Sequence, residues 1–424
     1  MRWIWLLALL ACGDNVIPRL ERVHYDIAGV EVDDPELFHD RLRDEDCTAM
    51  KWADGATYCT PQYTDAVYSD PICTHPLAHA SDVPAGYVGT YFVLRGDASL
   101  RRLWPVAAEI TTPAQYWVLE SGSCLGPYSG DSNTHYAAVG AELDESHFVR
   151  VRRSAPAGSG RVQLVALDTD DGLHVPLALH DRTLSTDCDL EFAQDVDHAR
   201  CVPAGAVAGT LFRDAGCSEP VLLSPDPPPF ARYGASDCPT YATVGDEVTG
   251  EQLFDITDGV CGPVTLPNGY RQFAVGAPLD LPVVTRERGA GTRIQPIARV
   301  AGAVRIPDGW VHDTQLAADC RPGLLAGTHR CMPATTDVTS YFIDDQCRDP
   351  IDVAFIPESA CAPAPKFAFR PEAVHPIGER VPMQLYEVST GDRCVPYAPQ
   401  PPYVAHMIGP PLPLDTFAPA DPRY

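Results

Sequence analysis

Basic side chains are scarce in this sequence of 424 residues. It has 31 lysines and arginines against 57 aspartates and glutamates, which gives a formal net charge of −26. Only Lys51 and Lys366 are lysines. Binding to nucleic acid needs a basic face that neutralises phosphates. The composition therefore predicts that nucleic acid is not a partner.

Long apolar runs and compact catalytic motifs are also lacking. After residue 12 no stretch approaches the roughly 18 apolar residues of a membrane helix. No C-x-x-C pair suggests a zinc or thiol redox site, and G-x-S-x-G, H-E-x-x-H, G-x-x-x-x-G-K-[ST] and G-x-G-x-x-G do not occur. We therefore expect no metal, no cofactor and no nameable catalytic residue, although a triad from distant residues stays open.

The first twelve residues carry a secretion signal. Met1 and Arg2 precede an apolar segment over residues 3–11, and the four residues Leu9-Leu10-Ala11-Cys12 resemble a bacterial lipobox. We expect a lipoprotein signal peptide over residues 1–11, lipidation of Cys12 and an anchor linker over residues 12–18. A plain signal or a misplaced start codon is the alternative. Membrane attachment then rests on the lipid alone.

One ordered set of motifs occurs three times. The pattern [Tyr/Phe]-x-Asp-x-x-Cys-x-x-Pro begins at Tyr68, Phe212 and Phe342, and Cys-x-Pro begins at Cys59, Cys201 and Cys331. A His-Asp pair stands eight residues before a cysteine in each copy, as His39-Asp40, His180-Asp181 and His312-Asp313. The sequence predicts tandem repeats of about 135 residues, over residues 19–157, 158–289 and 290–424.

The repeats are expected to be all-β. The 42 prolines disfavour long helices, and no sustained 3.6-residue periodicity follows the signal. Each repeat contains two echoes of an apolar pair four residues apart, usually with glycine in second place, at Val106/Ile110, Val139/Leu143, Val244/Val248, Val275/Leu279, Ile377/Val381 and Ile408/Leu412. Two architectures fit: a six-bladed β-propeller with two sheets per repeat, or three separate small β domains in a row.

These motifs behind a lipobox resemble the cysteine-rich repeat lipoproteins of unknown function found in large-genome predatory bacteria of the myxobacterial type. The resemblance covers nearly all of the mature chain and implies a lipid-anchored envelope protein, without an activity. Repeats of that family carry six cysteines each, whereas the repeats here have four, five and five. Cys238 and Cys361 stand at different places relative to the shared motifs.

Cysteine parity agrees with export to an oxidising compartment. The chain has 15 cysteines, and lipidation of Cys12 leaves 14 that could form disulfides: Cys47, Cys59, Cys73, Cys124, Cys188, Cys201, Cys217, Cys238, Cys261, Cys320, Cys331, Cys347, Cys361 and Cys394. The first two of each repeat have the simplest pairing, as local loops. Cys73 and Cys124 could pair. The second and third repeats each keep three cysteines, so either one bridge joins them or two thiols stay free.

The repeated polar residues have a structural and a functional interpretation. Histidine beside a carboxylate could act as base or ligand, but neighbours on a strand point to opposite faces, which favours a scaffold role for the His-Asp pairs. Asp70, Asp214 and Asp344 of the Asp-x-x-Cys motifs are expected to accept backbone hydrogen bonds in turns. Alternatively, the three aspartates line one face that attracts cations.

The sequence predicts a disulfide-bonded β-repeat protein of the bacterial cell envelope, lipid-anchored and facing the periplasm or the surface. Its expected role is non-catalytic, as a binding or structural module with an unidentified protein or glycan partner. The alternatives are a propeller-type hydrolase or lyase with an unidentified site, and a calcium-dependent adhesion module.

Overall fold

In the part of the chain that it describes, the computed structural model contains β-strands, turns and two short 3-10 turns, which confirms the all-β prediction. It describes residues 18–52, 54–61, 63–81, 91–93, 103–120, 123–130, 134–191, 193, 198–209, 211–234, 238–249, 252–257, 260–265, 269–358, 361, 363–370, 372–389, 393–399 and 403–423. Cys12, with the predicted signal peptide and most of the linker, lies outside these residues.

The strands fall into three sets in chain order. The first set comprises β1 (Leu20–Ile27), β2 (Val30–Asp40), β3 (Glu45–Lys51), β4 (Thr57–Pro61), β5 (Tyr63–Tyr68), β6 (Pro76–Ser81), β7 (Tyr91–Val93), β8 (Leu103–Ile110), β9 (Gln115–Glu120), β10 (Ser123–Ser129), β11 (Thr134–Val139) and β12 (Arg150–Arg153). A 3-10 turn at Glu145–His147 precedes β12.

The second set comprises β13 (Val162–Thr169), β14 (His174–Asp181), β15 (Thr186–Glu191), β16 (Ala199–Pro203), β17 (Val207–Gly209), β18 (Leu211–Phe212), β19 (Pro220–Ser224), β20 (Ala231–Tyr233), β21 (Thr240–Val248), β22 (Leu253–Thr257), β23 (Val260–Val264), β24 (Arg271–Pro278) and β25 (Val283–Arg288).

The third set comprises β26 (Ile294–Ala301), β27 (Val304–Asp313), β28 (Ala318–Leu325), β29 (Thr328–Pro333), β30 (Thr335–Phe342), β31 (Pro350–Pro357), β32 (Phe367–Arg370), β33 (Ala373–Arg380), β34 (Leu385–Ser389), β35 (Arg393–Tyr397), β36 (Tyr403–Ile408) and β37 (Ala420–Arg423). The second 3-10 turn, Leu414–Thr416, precedes β37.

One large antiparallel sheet takes five strands from each set. Its order is β29-β28-β27-β26-β25-β16-β15-β14-β13-β12-β4-β3-β2-β1-β37. The two ends of this order meet, because Arg330 of β29 and Pro419 beside β37 form a β-bridge, and the Cys331 N–H donates to the Ala418 carbonyl at 2.9 Å. The hydrogen-bonded order therefore returns to its start, and the described part of this sheet has no long unpaired edge.

Each set builds its part of the large sheet in the same way. Four consecutive strands form a meander, the chain then builds a second sheet, and a fifth strand returns beside the fourth, as in β12 on β4 and β25 on β16. The return is held in all three sets by a backbone bond of 2.9 Å from the cysteine of Cys-x-Pro, namely Cys59 to Val149, Cys201 to Pro282 and Cys331 to Ala418.

The second sheets have seven, eight and seven strands and are formed by the residues between the fourth and fifth strand of each set. Closure into six blades stays a prediction. The apolar cores of the large sheet lie where one set meets the next. At the junction of the second and third sets, Val162, Leu179 and Cys201 pack with Val284, Ala301 and Ile306. This junction also borders the cavity described below.

Candidate ligand-binding site

The histidines of the three His-Asp pairs each donate toward a carboxylate on the next strand. The Nδ1–Oδ1 distances are 3.0, 3.0 and 2.8 Å for His39–Asp46, His180–Asp187 and His312–Asp319. Partners stand opposite each other in the strand register. The acceptor comes from the Asp-Cys pair and not from the adjacent aspartate, because neighbours on a strand point to opposite faces.

The aspartates of the His-Asp pairs are buried ion-pair partners. Asp40, Asp181 and Asp313 are at most 2% exposed. They bind Arg19, Arg161 and Arg293 at 2.6, 2.9 and 3.0 Å, and they accept backbone N–H groups of the turn that follows, from Leu42, Thr183 and Gln315. A buried carboxylate with a guanidinium and a backbone donor has its hydrogen-bonding capacity used within the fold.

The same arginines tie each set together. Arg19, Arg161 and Arg293 also donate to carbonyl oxygens of His147, Asp280 and Thr416, which lie just before the fifth strands. Each ion pair therefore joins the first strand of a set, the end of its second strand and the return segment. In these contacts the three copies are equivalent, and they serve the scaffold.

The aspartates of the Asp-x-x-Cys motifs organise turns. Asp70 accepts backbone N–H groups from Ile72, Thr74 and His75. Burial raises the pKa of Asp70, but the N–H donors together have the larger opposite effect and bring the pKa down to about 2. In the other two copies, Asp214 accepts from Gly216, Ser218 and Glu219, and Asp344 accepts from Gln346, Arg348 and Asp349.

The 14 cysteines of the described residues are joined in seven disulfides, which confirms a disulfide-bonded β protein. The pairs are Cys47–Cys59, Cys73–Cys124, Cys188–Cys201, Cys217–Cys261, Cys238–Cys361, Cys320–Cys331 and Cys347–Cys394. Cys238–Cys361 is the bridge between the second and third sets, one of the two outcomes that the odd remainders left open. Seven bridges indicate an oxidising extracellular or periplasmic compartment.

One group of potential metal ligands escaped the sequence analysis. His24, Glu31 and Asp33 bring a nitrogen and two carboxylate oxygens within 4.8 Å of one another. His24 Nδ1 lies 2.8 Å from Asp33 Oδ1, and Arg22 Nη1 donates to the other oxygen of Asp33 at 3.1 Å. The charge of Asp33 is thus already matched by a guanidinium, and the group is explained as a cross-strand ion-pair cluster.

A cavity of about 500 Å³ opens at the junction of the second and third sets. Its lining comes from β15, β16, β25, β26, β27 and β28, from Ala334 between β29 and β30, and from the segment that leads into β32. The apolar part includes Leu190, Val284, Trp310, Pro365 and Phe367. The charged part consists of Arg286, Arg288, Arg299, Lys366, Asp308 and Asp319, with His312 beside them. Cavities of this size hold small molecules.

A second cavity of about 590 Å³ adjoins the first, because both are lined by Arg299, Asp308, Trp310 and Ala334. Trp310 is half-buried between them. On the side of the second cavity, the Arg321 guanidinium lies 5.2 Å from the Trp310 ring centroid, in cation–π contact. The indole is therefore held in place while it borders both cavities.

Ion pairs fix the charged side chains of the first cavity. Asp308, 3% exposed, accepts from Nε of both Arg286, at 2.6 Å, and Arg299. Arg286 also donates through Nη1 to Asp319 at 2.7 Å, and Asp319 accepts from His312. The guanidinium groups of Arg286 and Arg299 are thus held in place without a ligand, which reduces the entropy lost on binding.

The charged lining of this cavity differs from the equivalent positions at the junction of the first and second sets, although the framework is repeated. Arg153 binds Asp187 in the second set as Arg286 binds Asp319 in the third. Opposite Arg286 stands Arg299, but opposite Arg153 stands Leu167. The three residues Asp308 to Trp310 form a bulge, with Gly309 at φ 74°, where the second set has only Leu177 and Ala178.

One residue in the sequence, Trp310, indicates this site because it departs from the repeated pattern. Trp310 stands two residues before the histidine of the third His-Asp pair, and the corresponding residues of the other copies are Leu37 and Ala178. A single aromatic residue inside a repeated frame marks a position where the copies differ. Its neighbours in the cavity, however, come from residues 190 to 367 and meet only in the folded chain.

A disulfide-bonded all-β protein with a preorganised cavity of small-molecule size is the class that these features define. The model of DUF7481, a family of unknown function, matches residues 5–417, so the chain belongs to that family. No curated protein and no solved structure matches it. Among the described residues, no helix has the length and apolar content needed to cross a membrane.

Proposed function

We propose that this protein is a lipid-anchored, non-catalytic binding module of the bacterial cell envelope, and that its ligand occupies the cavity beside Trp310. The lipobox at Cys12 supports the anchor, and the seven disulfides support the exported location. The resemblance to repeat lipoproteins of predatory bacteria agrees with both.

The observation that carries the binding role is the difference between equivalent junctions. Three copies of the scaffold use their histidines, aspartates and arginines in the same internal contacts, whereas one junction adds Trp310, Arg288 and Arg299 around an open cavity. Polar groups beyond those that the scaffold repeats need another role, and ligand binding is the role that a concave, preorganised site supports.

Binding is favoured over catalysis by the state of the carboxylates. A general base needs a carboxylate or imidazole that can reach a substrate proton. Asp308 is engaged by two arginines and Asp319 by His312 and Arg286. These contacts leave the cavity with cationic donors that can hold a ligand.

The binding role is tested by a thermal-shift screen of a chemically diverse small-molecule library against the mature domain. We expect compounds that raise the unfolding temperature of the wild type and lose that effect in Trp310→Ala. Tyr403→Ala is the control, since Tyr403 is a half-exposed aromatic residue at a different cavity. If every compound acts equally on wild type and Trp310→Ala, the proposed site is wrong.

The anchor is tested separately by Cys12→Ser and fractionation of the producing cells. We expect wild-type protein in the membrane fraction and the variant in the soluble fraction, because a single lipidated residue supplies the attachment. Metabolic labelling with a clickable fatty acid should mark the wild type alone. An unchanged distribution and unchanged labelling would refute the anchor and leave the binding site untouched.

A further inference from the structure

We propose that the ligand of the cavity beside Trp310 is an amphipathic organic anion, a molecule with a carboxylate head and an apolar body. This inference rests on the proposed binding function and names its ligand class. Four basic and two acidic side chains line the cavity, which gives it a formal charge of +2 in a chain whose net charge is −26.

The positive charge of the cavity is unusual for this acidic protein and therefore favours anionic ligands. A strongly acidic chain repels small anions from most of its surface. One of its two lysines and three arginines nevertheless converge on this cavity. An anion gains favourable interactions here that a neutral molecule lacks, whereas a cation of the same shape meets repulsion.

Two cationic groups are suited to hold the carboxylate. Arg288 is 53% exposed and reaches Asp319 only at 3.7 Å. Lys366 donates one of its three ammonium hydrogens to the Ala317 carbonyl at 2.7 Å. Both side chains therefore retain donors toward the cavity. Arg299, by contrast, donates to the buried Asp308 through Nε.

The apolar lining requires the rest of the ligand to be hydrophobic. The lining includes the buried side chains of Val284 and Phe367, and Leu190, Pro365 and the Trp310 ring add further apolar surface. A small inorganic anion would pair with the basic groups but would leave the apolar lining in contact with water. A chain or ring attached to the carboxylate displaces that water, at about 25 cal/mol per Å² of apolar surface buried.

Three probes with one body and different heads test this: 4-phenylbutyrate, 4-phenylbutan-1-ol and 4-phenylbutylamine, titrated calorimetrically into the mature domain. We expect the carboxylate to bind at least about tenfold more tightly than the alcohol, a ratio that corresponds to about 1.4 kcal/mol, and the amine not to bind. Raising the salt concentration should lower the affinity for 4-phenylbutyrate, because salt screens the interaction of its carboxylate with a partly exposed site.

Matched variants locate the effect. Lys366→Gln and Arg288→Gln should each lower the affinity for 4-phenylbutyrate by about threefold to tenfold. The affinity for 4-phenylbutan-1-ol should stay unchanged. Lys51→Gln removes the other lysine, which is exposed on β3 away from the cavity. This variant should change neither the affinity for 4-phenylbutyrate nor that for 4-phenylbutan-1-ol. All variants should keep the wild-type unfolding temperature, since both targeted side chains are exposed.

The outcomes separate this inference from the proposed function. Equal binding of the alcohol and the carboxylate, or a Lys366→Gln variant that behaves like Lys51→Gln, overturns the anionic ligand. No binding of any probe also overturns it. A compound from the library screen that lacks negative charge, yet depends on Trp310, refutes this inference while it supports the binding function.

Discussion

Val275 lies directly opposite Val244 in the second sheet of the second strand set. The same relationship joins Val139 to Val106 and Ile408 to Ile377 in the other two sets. These six residues open the echoes found in the sequence. The two echoes of a repeat are therefore the two halves of one antiparallel pairing, and the strand register shifts beside each pair.

The glycines that follow these residues allow the two backbones to approach closely. A Cβ atom on Gly276 would lie 2.3 Å from Oγ1 and 2.9 Å from the carbonyl oxygen of Thr243. Gly276→Ala should therefore lower the free energy of unfolding by about 1–3 kcal/mol, because backbone or side chain must move. Denaturant unfolding followed by circular dichroism measures the change.

Gly262→Ala is the matched control for that substitution. A Cβ atom on Gly262 of β23 meets no atom within 4 Å, and we expect a change within about 0.5 kcal/mol. If Gly276→Ala is as stable as Gly262→Ala, the close approach between β21 and β24 is not a constraint on the fold.

The ion pair between Arg293 and Asp313 should contribute strongly to stability. Asp313 is fully buried, so Arg293→Ala leaves a carboxylate without its guanidinium partner and removes the bond to the Thr416 carbonyl. We expect a loss of about 2–4 kcal/mol in the free energy of unfolding, near the range for breaking a buried pair.

Arg380→Ala provides the comparison for Arg293→Ala. Arg380 and Glu358 are each about two-thirds exposed and 3.4 Å apart, and exposed pairs contribute at most about 1 kcal/mol. Similar urea midpoints for the two variants would contradict the structural role that we assign to the repeated arginines.

All cysteines after Cys12 should be oxidised in the exported protein. Thiol titration of Cys12→Ser in denaturant is expected to find no free thiol before reduction and 14 after it. Peptide mapping without reduction should recover the Cys238–Cys361 link between the second and third sets. Recovery of these two cysteines as free thiols would refute that pairing.

Acid titration should reveal the turn at Asp70. Its folded pKa of about 2 lies below the value of about 3.9 in an unfolded chain. The carboxylate therefore stabilises the folded state fully above about pH 4, and this contribution is lost as the pH falls through 2. The carboxyl ¹³C shift of labelled aspartate, assigned with Asp70→Asn, measures the value.

An Asp70 pKa above about 3.5 would show that the backbone donors of Ile72, Thr74 and His75 do not hold the carboxylate in solution. The circular dichroism spectrum of Asp70→Asn is the control, because an unfolded variant would not allow the signal to be assigned.

Short-range features, such as the local disulfide loops and the aspartate-centred turns, could be predicted from the sequence. Cys320 and Cys331 are 11 residues apart and stand on paired strands β28 and β29, so a short loop suffices to bring them together. The backbone bonds of Asp344 reach no further than Asp349. Such contacts depend on chain geometry over a few residues, which spacing reports directly.

The echoes show where pattern alone gave an incomplete answer. The apolar pairs that begin at Val244 and Val275 have counterparts in the other two repeats, a doubling that favours two sheets per repeat. In the structure, Val244 and Val275 lie opposite each other in one sheet. Periodicity fixes which face of a strand is apolar. It does not fix which strand lies beside it, since that choice depends on the burial of the whole sheet.

The amino-acid sequence by itself determined an all-β chain with disulfides and a thrice-repeated motif order, because turn chemistry, proline content and cysteine spacing act over short distances. Only the tertiary structure decided that the large sheet returns to its start, that Cys238 meets Cys361, and that Trp310 lines one cavity together with four cationic side chains. These contacts join residues far apart in the chain, such as Tyr25 of β1 and Pro422 of β37. The free energy that selects them comes from burying the junctions between strand sets as a whole.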